Sequence, residues 1–367
     1  MKTTVSCALN TSVKASALAA VLAVISSSSV FAQSSVSLYG QVDEWVGATR
    51  FPGAKRAWNV GGGGMSTSYW GMNGTEDLGG GYKALFTLES FFRGQNGQYG
   101  RFQGDTFLAR NAYVGIESPY GTFTAGRLTT HLFVSTILFN PFVDSYTFSP
   151  MVYHVFLGLG TFPGYTTDQG VVGDSGWNNA VQYSTPSFGG LTGSVMYAFG
   201  NQADEPGQRK WSAQALYFHG AFAATAVYQY VNFNNTPGDL GSIPGNDVTI
   251  LGLKSQGVAQ LGLTYDLKFA KLYGQYMYTD NKDEFIGDWH VNTAQAGVTV
   301  PVGLGAVMAS YAYSRDSGGL NQTRNTAAIG YDYPLSKRTD LYAAYLYDHI
   351  DNQSSGDTFG VGIRAKF

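Results

Sequence analysis

The last ten residues of the chain alternate between apolar side chains and small or basic ones. One parity is Phe359, Val361, Ile363, Ala365 and Phe367, and the other is Thr358, Gly360, Gly362, Arg364 and Lys366. Because strand side chains point to opposite faces with a period of two, this pattern predicts a two-faced strand. An apolar face toward lipid, a basic face toward water and an interfacial aromatic residue are typical of an outer-membrane barrel. A half-buried edge strand of a soluble sheet is the alternative.

The N-terminal segment has the features of an export signal. Lys2 and Lys14 supply weak positive charge, and residues 15–25 form an apolar run too short to span a bilayer. Val30-Phe31-Ala32 then has the small-x-small pattern of a signal-peptidase site. We therefore predict a signal peptide over 1–32 and a mature barrel over 33–367. Cys7 is the only cysteine, so the mature chain is expected to have no thiol for disulfides or metal sites.

The composition favours strands over helices as the membrane-spanning element. Glycine (48) and tyrosine (25) are abundant and charged residues make up only 13%. No apolar run after residue 32 approaches the ~20 residues of a membrane helix. Removing Lys2 and Lys14 from the 22 basic residues leaves 20 against 25 acidic ones, a net charge of −5. This balance does not indicate a nucleic-acid partner.

Short and long connections alternate along the chain from residue 36. Seven short connections are rich in glycine and proline, which suit tight hairpin turns: 77–81, 118–121, 186–190, 219–221, 266–269, 301–305 and 334–338. The long connections are 50–64, 94–105, 128–176, 201–209, 232–256, 280–288, 316–322 and 350–357. Seven turns join fourteen strands, and strands over 36–49 and 358–367 bring the number to sixteen. Short turns at one end and long loops at the other are typical of an outer-membrane barrel.

Individual strands have the two faces that such a barrel needs. The parities over 259–264 are Ala259, Leu261 and Leu263 against Gln260, Gly262 and Thr264. Residues 271–279 and 293–300 follow the same pattern. A dry core would exclude the polar face, whereas a closed barrel satisfies every backbone group, as a bilayer requires. The sequence therefore predicts an all-β, sixteen-stranded antiparallel transmembrane barrel, which is wide enough to leave an aqueous channel.

Several motifs of this sequence resemble those of one known family. They are Ser37-Leu38-Tyr39-Gly40, the segment 74–84, Thr87-Leu88-Glu89-Ser90, the segment 110–115 and the segment 335–342. Together they resemble the general porins of Gram-negative outer membranes, in the branch typical of beta-proteobacteria. The resemblance extends from about residue 36 to residue 367.

The resemblance implies a sixteen-stranded barrel, usually a homotrimer, whose third external loop folds into the lumen. Such a barrel would lie among outer-membrane lipid and lipopolysaccharide and would be inserted by the barrel-assembly machinery, with Phe367 as part of the assembly signal. The family passes small hydrophilic solutes and ions by diffusion and has no catalytic residues or cofactor. Many of its members favour anions.

The connection over 128–176 is the expected third loop and would narrow the pore. It is rich in aromatic and aliphatic residues, so we expect it to pack rather than to be disordered. Its available carboxylates are Asp144, Asp168 and Asp174, fewer than such loops usually carry. The alternatives are an external loop that covers the barrel mouth, or a contact between subunits.

The wall opposite this loop should be basic. The candidate lining residues of the constriction are Arg93, Arg110, Arg127, Lys83, Glu89 and Asp144. Arg110 and Arg127 match arginines of the family motifs. Alternation places Arg127 with the apparently lipid-facing Phe123, so we expect the chain to leave the sheet there and to re-aim the side chain. The alternative for each arginine is a solvated lumen or rim charge without a special role.

These features predict an outer-membrane diffusion porin with a mild preference for anions. The preference should be weak, because Tyr69 and Asn73 occupy two positions that are frequently basic in the family. An adhesin or structural envelope barrel and, less favoured, a barrel hydrolase are the alternatives. The five histidines lack metal-ligand spacing, and the glycine run 61–64 is not followed by the Lys-Ser/Thr of a phosphate loop.

Overall fold

The computed structural model describes residues 35–156, 160–162, 165–167, 171, 175–200, 209–232, 253–284, 287–318 and 321–367. The predicted signal peptide lies outside these residues, as do Asp168 and Asp174. The strands are β1 (Ser35–Arg50), β2 (Ala57–Gly62), β3 (Tyr69–Gly79), β4 (Tyr82–Arg93), β5 (Gln98–Tyr99), β6 (Asn111–Ser118), β7 (Gly121–Thr129), β8 (Gly160–Phe162), β9 (Tyr165–Thr167), β10 (Gly176–Ser184), β11 (Leu191–Ala198), β12 (Lys210–His219), β13 (Phe222–Asn232), β14 (Leu253–Asp266), β15 (Lys271–Asp283), β16 (Trp289–Val302), β17 (Gly305–Ser317), β18 (Thr323–Pro334), β19 (Thr339–Ile350) and β20 (Gly356–Lys366).

The described residues form a closed antiparallel barrel of sixteen long strands. The 18-stranded sheet includes β2 and β5, which are short pieces in the external loops, and β8 pairs only with β9. Without β2 and β5, each strand pairs with its neighbour along the chain, and β20 returns to β1. The predicted number of strands is therefore confirmed.

The ring closes where the two ends of the barrel meet on β1. Residues 35–41 of β1 pair with β3. Residues 41–50 of β1 pair with β20, from Gln41↔Lys366 to Arg50↔Asp357. Phe367 extends this ladder, since its N–H donates to the Gly40 carbonyl at 3.0 Å and its own carbonyl accepts from Gly40 at 3.2 Å. The closed ring leaves no unpaired sheet edge among its spanning strands, which is the condition for crossing a bilayer.

The predicted turns and faces are also observed. All seven short connections join consecutive strands, and the first of them turns on Gly79, Gly80 and Gly81, whose φ values are +83°, +62° and +83°. On β14, Leu261 and Leu263 are 57% and 53% exposed, whereas Gln260 and Thr264 are 1% and 5% exposed. The apolar parity therefore faces outward and the polar parity faces the lumen.

The lumen contains two helices from the connection between β7 and β10. Helix α1 (His131–Leu138) begins at Thr130, whose hydroxyl accepts from the Phe133 N–H at 3.2 Å, and α2 (Pro150–Phe156) follows after a turn. Helix α1 contacts β12, β13 and β14, and α2 contacts β16, β17 and β18. The third loop thus folds inside the barrel, as predicted, and does not cover its mouth. No helix in the described part of the chain is both long and apolar enough to cross a membrane.

Helix α1 rests on a stretch of wall that is partly apolar. Leu132 belongs to a buried cluster that includes Val227, Val258 and Met277, which are lumen-facing residues of β13, β14 and β15. The Gln260 and Gln275 amides reach Thr136, the former donating to its hydroxyl at 3.0 Å and the latter to its carbonyl at 3.1 Å. Gln260 and Gln275, which would otherwise be solvated in the lumen, therefore bind the third loop.

Helix α2 is held by a buried ion pair on the adjoining wall. Arg324 donates to both carboxylate oxygens of Asp348 at 2.9 and 2.7 Å and to the Tyr153 carbonyl at 3.1 Å. The two charged residues are 3% and 1% exposed. Beside them, His154 Nδ1 meets the Ser314 hydroxyl at 2.5 Å and Nε2 meets the Thr326 hydroxyl at 2.8 Å. The buried charges and hydrogen-bonding groups between α2 and the wall therefore have partners.

Asp348→Ala should loosen the docking of α2. The substitution leaves the Arg324 charge buried without its carboxylate, which costs on the order of 3–5 kcal/mol. Denaturant titration of the folded barrel in detergent micelles measures the change. In the matched double variant Arg324→Met with Asp348→Leu both charges are gone, so its stability should stay near that of the wild type. Equal losses in both variants would contradict the assignment of an energetically important pair.

Acidification should also weaken the docked loop. Burial lowers the pKa of His131 to about 4, and burial, together with the nearby Arg324 charge, holds the pKa of His154 well below its usual value. The docked loop then binds fewer protons than the undocked loop, so its stability is complete above the ordinary histidine pKa and falls between about pH 6.5 and 4. Protease cleavage of the third loop at pH 7 and at pH 4.5 measures this, with the exposed His219→Gln as the control that should behave like wild type. A cleavage rate independent of pH would contradict the prediction.

Candidate functional site: the pore constriction

The wall formed by β1, β3, β4 and β6 carries a polar cluster centred on Glu89. This carboxylate accepts from the Tyr39 hydroxyl at 2.8 Å, from the Asn111 amide at 2.5 Å and from Arg110 Nη1 at 2.6 Å. Glu89 is only 4% exposed. Three donors from two separate chain segments therefore fix and partly neutralise one buried carboxylate.

Arg110 presents the accessible charge of this cluster. Its guanidinium lies 4.0 Å above the centre of the Tyr69 ring, and its side chain is 26% exposed, compared with 5% for that of Glu89. Stacking on an aromatic face holds a guanidinium flat against the wall and leaves its edge accessible. An ion in the lumen therefore meets the arginine before it meets the carboxylate.

Lys83 and Arg93 share a face of β4 with Glu89 but do not join the cluster. Lys83 lies at the turn end of the strand and pairs with Glu117 at 2.9 Å, with both side chains nearly half exposed. Arg93 lies four residues beyond Glu89, about 13 Å along the strand at roughly 3.3 Å per residue. Its Nε is buried without a hydrogen-bond partner among the described residues.

Arg127 differs from the expectation. Strand β7 continues to Thr129, so the chain does not leave the sheet at this residue. Leu128 packs inside the barrel with Trp177, and alternation then places Arg127 on the outer side. There it donates to the carbonyls of Ala109 and Gly176 at 2.5 and 3.2 Å and to the exposed Asn178 side chain at 2.7 Å. The predicted re-aiming toward the pore is wrong, because the strand keeps its register with β6 through this residue.

Asp144 lies at the tip of the third loop and is only 8% exposed. Its carboxylate is bonded to the Ser66 hydroxyl and accepts from the Thr67 hydroxyl at 2.7 Å and the Thr67 N–H at 3.3 Å. It is also close enough to Tyr69 to act on it electrostatically. The loop carboxylate therefore reaches the wall that carries Arg110. Its oxygens, however, are hydrogen-bonded to Ser66 and Thr67 of the first external loop, which joins β1 to β3.

Sequence reasoning missed several residues of this region. Tyr39 was part of a family motif without an assigned role, and Asn111 follows Arg110 directly. Tyr342 likewise lies in the motif segment 335–342 without an assigned role. No sequence signal singled out Asp43, because its partners are Tyr342, 299 positions away, and backbone amides. In the described residues, no group of three or more His, Cys, Asp or Glu side chains could hold a metal ion.

The helices of the third loop and the Glu89–Arg110 cluster occupy different parts of the wall. The two helices rest on β12–β14 and β16–β18, while Tyr69, Glu89, Arg110 and Asn111 project from β3, β4 and the start of β6. Glu89 and Arg110 therefore lie on a wall other than the strands on which the helices rest, and Asp144 lies at the loop tip beside residues 66 and 67. Lys83 lies at the turn end of β4, and alternation places Arg127 on the outer side of β7.

Comparison with known proteins agrees with this architecture. The sequence matches the family model of Gram-negative porins over residues 16–353. It is 30% identical over 367 residues to outer membrane porin protein 32 of Delftia acidovorans, covering 95% of this chain and 92% of that protein. It is 26% identical to an outer membrane porin protein of Bordetella pertussis, covering 92% and 95%. The solved anion-selective porin from Comamonas acidovorans is similar with a TM-score of 0.73 and 26% identity, over 91% of this chain and 100% of that one. The chain thus belongs to the Gram-negative porin family.

Proposed function

We propose that this chain is a general diffusion porin of the Gram-negative outer membrane, through which small hydrophilic solutes and ions pass passively. The observation that supports this most directly is a closed sixteen-stranded barrel whose third loop narrows the lumen without covering the Glu89–Arg110 wall. The porin family is not an enzyme family. No observation in the described residues favours the adhesin or hydrolase alternatives.

The selectivity that we propose is a mild preference for anions. The number of charges alone does not determine the sign of the selectivity, because the two positive charges of Arg93 and Arg110 are matched by the two negative charges of Glu89 and Asp144. Exposure decides the sign, since both carboxylates are buried in hydrogen bonds while the Arg110 edge is accessible. Charge in a narrow passage between low-dielectric walls raises the local concentration of counter-ions. The solved relative from Comamonas acidovorans is described as anion-selective, in agreement with this sign.

We further propose that the chain works as a homotrimer in outer-membrane lipid and lipopolysaccharide. The outer surface is apolar along its strands, with Leu38, Val114 and Ile116 at least half exposed in the single chain. Such side chains need either lipid or a second copy of the barrel as a neighbour. Insertion by the barrel-assembly machinery is part of the same proposal.

The reversal potential in a salt gradient across a planar bilayer tests the function and the selectivity together. Wild-type protein should form water-filled channels with weak anion selectivity that decreases at high salt, because salt screens charges beyond roughly 8–10 Å. Arg110→Ala should shift the reversal potential toward cations, and Glu89→Gln should shift it toward anions, because each removes one charge of the Arg110–Glu89 ion pair.

The matched control is Glu117→Gln, which removes a carboxylate at the turn end of the same wall and should leave the selectivity nearly unchanged. Absence of channels in the wild type would overturn the proposed function. Cation selectivity in the wild type, or an Arg110→Ala channel with unchanged selectivity, would overturn the role of Arg110 alone.

Deletion of Phe367 should reduce assembly. The residue supplies the last hydrogen-bonded pair between the closing strand and β1, through Gly40, and is 48% exposed on the outer face. We expect a severalfold lower amount of heat-modifiable oligomer in the outer membrane. Phe367→Tyr keeps both the backbone pair and an interfacial aromatic ring, so it should assemble normally. Equal amounts of oligomer from the deleted and intact chains would contradict the assembly role.

A further inference from the structure

The first external loop turns into the lumen over residues 63–68 and wraps around Asp43. The Asp43 carboxylate accepts from the backbone N–H groups of Gly64, Met65 and Ser66 at 3.0, 3.0 and 2.8 Å. It also accepts from the Tyr342 hydroxyl at 2.5 Å, and Asp43 is fully buried. Successive amides around one anion form a nest, here occupied by a carboxylate of the chain itself.

Two further features fix the shape of this segment. Gly63 has a φ of +76° and donates its N–H to the Asp43 carbonyl at 2.7 Å. A Cβ on Gly64 would overlap the Tyr342 hydroxyl. The glycine run is therefore needed for a tight turn against β1 and β19, and the segment is held in one conformation before the third loop meets it.

The tip of the third loop binds this segment through three residues of the stretch 144–147, namely Asp144, Ser145 and Thr147. Asp144 is bonded to Ser66 and Thr67, as described above. The Ser145 hydroxyl donates to the Gly64 carbonyl at 2.5 Å, and the Thr147 hydroxyl donates to the Gly63 carbonyl at 3.2 Å. The two segments meet as two sets of complementary polar groups, most of them shielded from water.

An apolar base supports these bonds. Phe142 and Phe148 of the third loop are fully buried in a cluster with Met65, Trp45 and Tyr342. The rings of Trp45 and Phe148 meet edge to face with centroids 5.7 Å apart. Residues from the first loop, the third loop and two wall strands thus belong to one packed unit.

The loop backbone is strained beside this contact. Val143 has a φ of +46°, a conformation that is a genuine outlier for a β-branched residue, and its side chain is 43% exposed. The Asn140 amide donates to the Val143 carbonyl at 2.9 Å, while Asp144 holds the other side. Strain of this kind persists only where the surroundings impose it. The contact with residues 63–68 supplies that constraint.

We propose that residues 63–68 and 144–147 form an interloop latch that fixes the third loop across the pore and so sets the width of the constriction. Asp43 is the positioning residue that preorganises the first-loop half of the latch. The inference rests on the proposed channel function and deepens it. A released latch lets the strained tip move into and out of the passage, and each movement changes the current.

Neutral variants separate this positioning role from a change of pore charge. Ser145→Ala with Thr147→Val removes two latch hydrogen bonds and no charge. Single-channel recording should show severalfold greater open-channel noise and closure at lower voltage, with an unchanged reversal potential. The matched control is Ser118→Ala, which removes a serine bond of 2.8 Å to the Gly121 carbonyl in a periplasmic turn and should leave the channel as quiet as wild type.

A disulfide variant decides the question independently of the stability of the neutral variants. Thr67→Cys with Asp144→Cys places two thiols where the side-chain oxygens are 2.7 Å apart, and the predicted mature chain has no other cysteine. The oxidised channel should be quiet and resistant to voltage closure, and reduction of the same channel should make it noisy.

The possible outcomes are distinct. Failure of the two cysteines to cross-link would overturn the latch, as would identical noise in the oxidised and reduced channels. Neutral variants that assemble normally and stay quiet would also overturn it. If wild-type protein gave no channels at all, the proposed function would fail instead, which this comparison distinguishes because every arm is referred to a wild-type channel.

Discussion

The structure depends on one requirement, that no backbone hydrogen-bonding group be left unpaired inside the bilayer. Sixteen strands meet it by closing into a ring at β1, where the ladder with β20 ends on Phe367 and Gly40. A ring of this size is too wide to be filled by the side chains of its own wall. A segment that is not part of the ring can therefore lie inside it, and the helices of the third loop do so.

Narrowing the lumen determines which wall residues can act on a solute. The loop covers β12–β14 and β16–β18, where polar residues such as Gln260 and the Arg324–Asp348 pair become internal contacts. The opposite wall keeps Arg110 partly accessible on the face of Tyr69. A lumen-facing charge that the loop covers, such as Arg324, therefore holds the loop in place, whereas an uncovered charge, such as Arg110, is accessible to ions in the lumen.

The position of the loop tip connects this division to the first external loop. Asp144 contributes a carboxylate near the polar wall, but its oxygens bind residues 66 and 67, which are themselves ordered by Asp43. In the proposed latch, the geometry of the passage is set by these contacts among a wall strand, a first-loop segment and the third loop. In the proposed function, the sign of selectivity depends on exposure as much as on the number of charges, since Glu89 is nearly inaccessible.

The amino-acid sequence by itself determined the sixteen strands, the seven turns and both strand faces, because each is written in a period of two or in local turn chemistry. The placement of the third loop in the lumen was expected only from the resemblance to the porin family, and the structure decided it against a position over the barrel mouth. Alternation also placed Arg127 on the outer side, and the expectation that the chain would re-aim it was wrong. Only the tertiary structure decided that Asp144 binds residues 66 and 67, at separations of 78 and 77 positions, and that Asp43 meets Tyr342 across 299. Closing the ring brings Asp43 and Tyr342 together, and folding the loop inward brings Asp144 to residues 66 and 67. Neither contact is encoded in the local sequence pattern, because its partners are far apart along the chain.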